Sequence, residues 1–386
     1  MAFQYLLLEN GRPLPATCHA WNGDLSQVAF CPNSSTIRIH SVGKDGKLGE
    51  LVQELVDHDK VVTSLSWGAA NNRLVSCSQD RNAFVWSLDS SGKFVPELVA
   101  LRVKNSCTDV KWSPCEKKFA VATGAKHIAL CHYVIEDQGS GTGLWFAKHV
   151  GNHGSTVLSI DWHPTSCMLA SGSSDQWCRI FMSAVKKIDA KPPPMFGLTV
   201  NKAGKPLSTG DVLAEIPSSG WVHCVAFSPS GAHLAFSSHD SSIRILRLPS
   251  DRVPNEGDVT TLYLPGLPLT KLLWVSDTRL VGAGHDRVPI VIEAKASAWC
   301  VGKRLDDPKK RAPVEEKKVS AVSNAFKAFG ASTTSGSGAT KDLSSELLHQ
   351  NCISGLCVMT KSAAQVTKFS SIGTRRRRRR RRRPQL

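Results

Sequence analysis

Positions 58–67 of the chain read His-Asp-Lys-Val-Val-Thr-Ser-Leu-Ser-Trp, and positions 74–86 read Leu-Val-Ser-Cys-Ser-Gln-Asp-Arg-Asn-Ala-Phe-Val-Trp. Apolar residues recur at short intervals in both stretches, as they do in partly buried β-strands, and a polar turn separates the two. In the second stretch, Asp80 follows Ser76 by four residues and precedes Trp86 by six. The pattern predicts consecutive antiparallel strands with polar side chains at fixed places in the turns.

The first stretch recurs along the chain as an apolar strand that ends in an aromatic residue and is followed by turn formers. These strand ends are Trp21, Trp67, Trp112, Trp162, Phe227 and Trp274, and a weaker seventh copy runs through Ile353, Leu356 and Val358. Successive aromatic residues are 45 to 65 positions apart. A period of about 40–45 residues with several short strands in each unit is typical of a propeller blade. We therefore predict an all-β fold, a seven-bladed WD40 β-propeller over residues 1–374.

Polar residues at fixed spacings predict hydrogen-bonded tetrads that hold the blades. The first set consists of His58, Ser76, Asp80 and Trp86. The second consists of His153, Ser171 and Asp175, with Phe181 at the position of the Trp. In such a set the Asp accepts bonds from the His and from turn amides, and the Trp N–H reaches the Ser hydroxyl, so buried polar groups are paired. Because the sets recur with the blade period, we interpret them as structural and not as a hydrolase triad.

Several segments resemble, in the same order, the WD-repeat subunit (subunit 1) of the actin-related protein 2/3 complex, which nucleates branched actin filaments. The segments are Thr17 to Asn22, Asp80 to Trp86, Lys118 to Ala125, Ser155 to Pro164, Gly220 to His223 and Ala283 to Asp286. The resemblance runs from residue 1 to about residue 374. It implies a non-catalytic scaffold in the cytoplasm and cytoskeleton that supports nucleation and branching. It further implies binding to the other subunits, to the actin filament and to acidic tails of nucleation-promoting factors.

Other functions stay open at this level, because many assemblies use WD-repeat propellers as binding platforms. One alternative is a scaffold or substrate receptor of another assembly, such as a ubiquitin ligase or an RNA-processing complex. Another is a polyanion-binding protein that acts through an arginine tail. The sequence contains no P-loop, HExxH or nucleophile-elbow motif, so we expect no enzyme, no cofactor and no metal.

An insertion between blades six and seven, residues 294–348, carries the sharpest functional hypothesis. Val319, Val322, Phe326 and Phe329 are spaced by 3, 4 and 3 residues. This is a one-sided apolar stripe at helical period, so we expect a short helix over residues 319–329 with polar, low-complexity segments around it. Either the helix packs on the propeller wall, or it is a flexible arm whose apolar face docks in a partner's groove. We favour the arm, because the resemblance implies an actin contact at this place.

The charge is unevenly distributed. The net charge is +16, and nine arginines, Arg375 to Arg383, account for nine of these charges and leave +7 on the rest. That remainder favours acidic partners, and we do not expect nucleic acid. Other basic residues are scattered, and each is explained by a solvated face. They include Lys104, Lys111, Lys117, Lys118, Lys186 and Lys187.

The arginine run stands where a further strand of the last blade is expected. Adjacent like charges repel and cannot face a core, so residues 375–386 are interpreted as an aberrant end, a disordered cationic tail or a degenerate strand. We favour the aberrant end. Because the third strand of that blade would be missing, we expect an open sheet edge there.

The remaining composition indicates a protein of the cytosol. Twelve cysteines without CxxC pairs are typical of reduced thiols. Residues 1–10 lack the basic region of a signal peptide, and no apolar run approaches the length of a membrane span.

Overall fold

The computed structural model describes residues 8–9, 12–13, 15–43, 47–135, 143–186, 188–189, 196–295, 298–305, 349, 351–362 and 365–373. The regular elements among these residues are β-strands and one 3₁₀-helix, Glu256–Asp258. No helix in these ranges has the length and apolarity to cross a membrane.

The strands form antiparallel sheets in which sequence neighbours pair. A short hairpin of β1 (Leu8–Glu9) and β2 (Arg12–Pro13) comes first. Blade one contains β3 (Cys18–Trp21), β4 (Gln27–Cys31), β5 (Ile37–Val42) and β6 (Leu48–Leu55). Blade two contains β7 (Val62–Trp67), β8 (Leu74–Ser78), β9 (Ala83–Leu88) and β10 (Phe94–Val99). Blade three contains β11 (Cys107–Trp112), β12 (Lys118–Thr123), β13 (Ile128–Ile135) and β14 (Gly143–Val150).

The second half of the chain continues in the same order. Blade four contains β15 (Val157–Trp162), β16 (Met168–Ser173), β17 (Trp177–Met182) and β18 (Val212–Pro217). Blade five contains β19 (Val222–Phe227), β20 (His233–Ser238), β21 (Ser242–Arg247) and β22 (Val259–Tyr263). Blade six contains β23 (Leu269–Ser276), β24 (Arg279–Gly284), β25 (Ile290–Lys295) and β26 (Ala298–Arg304). Blade seven has two described strands, β27 (Ile353–Ser362) and β28 (Gln365–Gly373).

The first strand of each blade lines the centre of a closed ring. Each of these inner strands contacts the next, from β3 through β7, β11, β15, β19 and β23 to β27, and β27 contacts β3 again. The all-β, seven-bladed prediction is therefore confirmed. The predicted aromatic residues lie in the inner strands, at the strand end in blades one to five. We call the face where inner strands begin the upper face and the face where they end the lower face.

A β-bulge interrupts the inner strands near their starts. In blades two to seven the pairing register shifts there, as between Val62 and Ser64, so one strand carries an extra residue. In blades three, six and seven this residue has a hydroxyl that donates to a backbone carbonyl of the next blade, and Thr17, just before β3 in blade one, makes the same kind of bond. The bonds are Thr17 Oγ1 to Val62 O (2.9 Å), Thr108 Oγ1 to Val157 O (2.6 Å), Thr270 Oγ1 to Ile353 O (2.8 Å) and Ser354 Oγ to Ala16 O (3.2 Å). The last of these closes the ring.

The hydrophobic core is divided into layers that lie between successive blades. One layer joins blades one and two through residues such as Ile39 and Trp86, and equivalent layers occupy the following junctions. At the junction of blades seven and one, the layer consists of Ala16, Phe30 and Ile372. A single blade therefore cannot bury its apolar faces without its neighbours, which is the stability rule of repeat folds.

Three tryptophans of the inner strands also connect blades. The indole N–H of Trp112 donates to Arg73 O (3.1 Å), that of Trp162 to Lys111 O (3.0 Å) and that of Trp274 to Ala226 O (2.9 Å). Each acceptor belongs to the preceding blade. These side chains thus combine apolar burial with a satisfied N–H, as a large buried indole requires.

In blade two, the residues of the first predicted tetrad contact one another. His58 Nδ1 lies 2.7 Å from Asp80 Oδ2, His58 Nε2 lies 2.8 Å from Ser76 Oγ, and Trp86 Nε1 donates to Ser76 Oγ at 2.9 Å. Burial lowers the pKa of His58. Burial alone would raise the pKa of Asp80, but bonds from the Asn82 amide and His58 outweigh it and lower that pKa. The set is an internally satisfied network around a buried imidazole.

Blade four departs from this arrangement. His153 Nε2 contacts Ser171 Oγ at 2.8 Å, but its Nδ1 faces Lys126 O (3.2 Å) instead of Asp175. The Asp175 carboxylate accepts from Arg179 Nη1 (2.7 Å) and from the Gly154 amide (2.7 Å). Arg179 therefore replaces the imidazole as partner of the Asp.

Blade seven retains the first half of a tetrad. His349 Nε2 lies 2.8 Å from Ser371 Oγ, which occupies the register position that Ser76 has in blade two. The Asp and Trp of a complete set would fall four and ten residues later, at Arg375 and Arg381. These positions lie outside the described residues, as does the predicted third strand.

We expect Asp80→Ala to destabilise the propeller. The substitution leaves the buried His58 and nearby turn amides without an acceptor, at about 1–3 kcal/mol for each unsatisfied group. Urea denaturation should show this loss, whereas Asp89→Ala, which removes an exposed turn carboxylate of the same blade, should cost less. Equal stability of the two variants would contradict the structural role of the tetrad.

Candidate functional site: a cationic and aromatic cleft in blade three

The apolar stripe predicted for partner binding, Val319, Val322, Phe326 and Phe329, lies outside the described residues. Strand β26 occupies the first part of the range 294–348, where it completes the sheet of blade six. After β26, the amide of Leu305 donates to Pro289 O at 2.9 Å. The described part of the insertion is thus a regular outer strand, and the segment beyond it joins that strand to the inner strand of blade seven.

The scattered basic residues do not share one environment. Lys111 donates to Asp161 Oδ1 (2.8 Å) on the neighbouring inner strand. Desolvation alone would lower its pKa, but Asp161 and Asp109 outweigh that effect and raise it. Lys104, Lys117 and Lys186 are exposed, and Lys187 lies outside the described residues. Lys111 thus bridges two blades while its side chain stays 38% exposed, so the prediction of a solvated face holds for it only in part.

Lys118 also departs from that prediction, because its side chain is completely buried. Its ammonium group forms an ion pair with Asp189, donates to Ser183 O at 2.8 Å and lies 5.3 Å from the centre of the Trp162 ring. Asp189 in turn accepts from the Val185 amide at 2.7 Å. A charge is stable at such depth only when it is paired and hydrogen-bonded, so this pair fixes the segment after β17 beneath blade three.

Beside this pair, the lower face opens into a cleft of about 470 Å³. We call it the blade-three cleft. It is lined by Asn71, Arg73, Glu116, Lys117, Tyr133, Trp145 and Ile188. These residues come from blade two, from blade three and from the segment that Asp189 fixes. The cleft therefore exists only because the neighbouring blades are locked together.

A rigid aromatic wall forms one side of the cleft. Trp145 donates its indole N–H to Glu97 Oε2 (3.0 Å) of blade two. Its ring packs against Phe119 and Tyr133, with ring centres 5.1 and 5.5 Å apart. Tyr133 is 39% exposed, so an apolar surface stays open to solvent.

The charged residues of the cleft differ in whether contacts within the protein already engage their side chains. Glu116 has a left-handed backbone, with φ of 54°, and its carboxylate accepts from the amides of Ala70 (3.0 Å) and Asn71 (2.7 Å) in the previous blade. Such strain in a non-glycine residue is retained where surrounding contacts hold it. Arg73 and Lys117 are exposed, and within the described ranges neither has an ion-pair partner.

These features suit a partner that combines a carboxylate with an apolar or aromatic side chain. Two unpaired cations attract the carboxylate, and the Tyr133 ring offers contact area to the apolar group. The sequence did not predict the cleft, because its residues come from separate blades and Trp145 does not end an inner strand.

Within the described ranges, no group of three or more His, Cys, Asp or Glu residues could hold a metal ion.

The fold and the repeat chemistry define the class as WD-repeat β-propellers. The sequence profile of the family described as WD domain, G-beta repeat, matches residues 49–87, 146–181 and 210–246. Each matched range begins in, or two residues before, the outer strand of one blade and ends in the third strand of the next. The sequence repeat is thus offset from the blade by one strand.

Comparisons with known proteins over nearly the whole chain identify one family within this class. The chain is 36% identical to actin-related protein 2/3 complex subunit 1A-B of Xenopus laevis, over 97% of this chain and 94% of that protein. It is 34% identical to actin-related protein 2/3 complex subunit 1 of Schizosaccharomyces pombe, over 94% and 95% of the two chains. It is also 34% identical to subunit 1A of Arabidopsis thaliana, over 92% and 91%. The chain belongs to the family of actin-related protein 2/3 complex subunit 1, which confirms the resemblance.

Proposed function

We propose that this chain is a non-catalytic scaffold subunit of an actin-related protein 2/3 complex, in the cytoplasm and cytoskeleton. It binds the other subunits, the actin filament and the acidic tails of nucleation-promoting factors, and so supports actin nucleation and branch formation. The observation that carries the proposal is similarity to subunit 1 proteins over nearly the whole propeller.

The outer wall of blades one to three supports a role in assembly. Leu51, Val95, Leu144 and Phe146 lie on the outermost strands of these blades and are exposed. Adjacent outer strands are bridged, since the Gln53 side chain exchanges two hydrogen bonds with the Phe94 backbone (2.9 and 2.8 Å). An exposed apolar wall on a rigid support is the kind of surface that neighbouring subunits cover.

The blade-three cleft is the proposed acceptor of an acidic tail. Arg73 and Lys117 supply unpaired positive charge, and Tyr133 supplies an exposed ring beside it. Glu116 is engaged with backbone amides, so its carboxylate competes less for these cations. A short acidic peptide with one large apolar side chain fits this combination.

A second candidate function rests on the arginine run. Nine consecutive arginines would bind polyanions with a steep dependence on salt concentration. This activity would be independent of the propeller, and deletion of residues 375–386 would remove it.

Affinity purification of the tagged full chain, followed by mass spectrometry, tests complex membership. We expect both actin-related subunits and the smaller subunits to co-purify in near-equal amounts. Recovery of ubiquitin-ligase or RNA-processing components in their place would assign the propeller to another assembly.

Charge reversal in the blade-three cleft tests the acceptor site. We expect Arg73→Glu with Lys117→Glu to weaken binding of an acidic tail peptide at least tenfold, because attraction is replaced by repulsion. Fluorescence anisotropy at two salt concentrations measures the effect. Lys205→Glu, an exposed charge in a loop of blade four, is the matched control. Equal affinities of the cleft variant and the control would reject the cleft as the site.

The proposed arm is tested by changing Phe326 and Phe329 together to Ala. Burying one Phe contributes roughly 1.5–3 kcal/mol, so partner binding should weaken by about tenfold or more even after the entropy of ordering the segment. Branching assays with the reconstituted complex measure the functional effect of the weaker binding, and thermal unfolding measures stability. Ser323→Ala with Asn324→Ala controls for changes on the polar side of the stripe. A lower melting temperature with normal branching would show that the segment packs on the propeller.

A further inference from the structure

Two cysteines face each other across the first sheet of the ring. Cys18 on β3 and Cys31 on β4 are direct partners in the antiparallel register. All twelve cysteines of the chain are free thiols in the structure, and both members of this pair are buried. The pair stands in the blade that closes against blade seven.

The backbone brings the two residues to a separation that a disulfide bridges. Directly opposed residues in antiparallel strands have Cα atoms roughly 4.5–5.5 Å apart. Disulfides span Cα separations of about 4.4–6.8 Å, so no strand movement is needed. The amide of Thr17, just before β3, donates to Cys31 O at 3.0 Å and helps to hold the hairpin in this register.

The two thiols are close enough that each shifts the pKa of the other. Cys31 Sγ donates to Ser34 O at 2.9 Å, and Cys18 Sγ donates to Val62 O at 3.8 Å. The neighbouring Cys18 thiol lowers the pKa of Cys31 to about 6, against the opposing effect of burial. A lowered pKa favours the thiolate, which is the reactive form of cysteine.

We propose that Cys18 and Cys31 form a redox-active dithiol, which a peroxide converts to a disulfide within blade one. The Cys31 thiolate attacks the O–O bond of hydrogen peroxide, forms a sulfenic acid and releases hydroxide. Cys18 sulfur then attacks the sulfenic sulfur and expels the second hydroxide as the S–S bond forms. The thiol protons and the two hydroxides give two waters, so both sulfurs are oxidised and the peroxide is reduced. In a reducing compartment such a bond is transient.

The other buried thiols differ from this pair. Cys77 of blade two occupies the register position of Cys31, but its cross-strand partner is Ser64. Cys77 lies near Cys107 of blade three, which is on a strand not paired with its own, and burial raises the pKa of Cys77. Blade two therefore provides a matched control within the same molecule.

The position of the pair gives the disulfide a structural effect. The residue after Cys18 is His19, whose Nε2 lies 2.6 Å from Ser370 Oγ of blade seven, and Cys357 Sγ of that blade donates to His19 O at 3.2 Å. A disulfide between β3 and β4 would fix β3, the strand that contacts blade seven, to the rest of its sheet. Oxidation should therefore stabilise the blade-one side of the junction that closes the ring.

The test treats the native full chain with hydrogen peroxide, alkylates the remaining thiols and maps the peptides by mass spectrometry. We expect a Cys18–Cys31 linked peptide, two hydrogens lighter than the reduced pair, which dithiothreitol reverses. Thermal unfolding of the oxidised chain should occur several degrees above that of the reduced chain. Cys18→Ser and Cys31→Ser should each abolish the link, and Cys77→Ser should retain it.

Other outcomes overturn the proposal. They are a link between Cys77 and Cys107 or between Cys18 and Cys357 in place of the predicted one, oxidation to sulfinic acid without any link, and a link that forms only in denaturant. The peptide map of the unmodified chain decides among these without reliance on the folding of a variant.

Discussion

The ring depends on contacts between neighbouring inner strands, and at four of the junctions a hydroxyl at the start of one strand donates to the backbone of the next blade. A blade is a twisted sheet with two apolar faces, and it is stable only between two neighbours. The bulge turns one side chain out of the regular alternation and toward the next blade. Thr108, Thr270 and Ser354 occupy this position, and Ser354 reaches Ala16; Thr17 makes the same bond from just before β3. The hydrogen bond that closes the ring is thus of the same kind as those between earlier blades.

Periodic features of the fold could be predicted, because they follow from local patterns. The inner strands that end at Trp67, Trp112 and Trp162 were visible as apolar alternation before a turn. The His58 contacts lie at the spacings that the sequence suggested. In blade four, Phe181 cannot donate to Ser171, and Arg179 competes for Asp175, so the same spacing gives a different network.

The candidate site could not be predicted, because it depends on contacts between blades that sequence spacing does not report. The burial of Lys118 requires Asp189, which is 71 residues away. Trp145 meets Glu97 across a blade boundary, and Arg73 reaches the same cleft from blade two. In each case the partner is set by which blade lies next in the ring. The general lesson is that repeat periodicity predicts the framework, whereas the surface chemistry arises at the junctions.

The junction between blades seven and one has a consequence for how the chain reaches its folded state. His19 bonds to Ser370, 351 residues further along the chain, while most other pairings join neighbouring strands. Contacts of such high sequence separation form late and slowly. During synthesis on the ribosome, blade one is made first and blade seven last. The apolar face of blade one therefore stays uncovered until nearly the whole chain has emerged. Over that interval it is an exposed, aggregation-prone surface, so the nascent protein should depend on a chaperone that shields blade one.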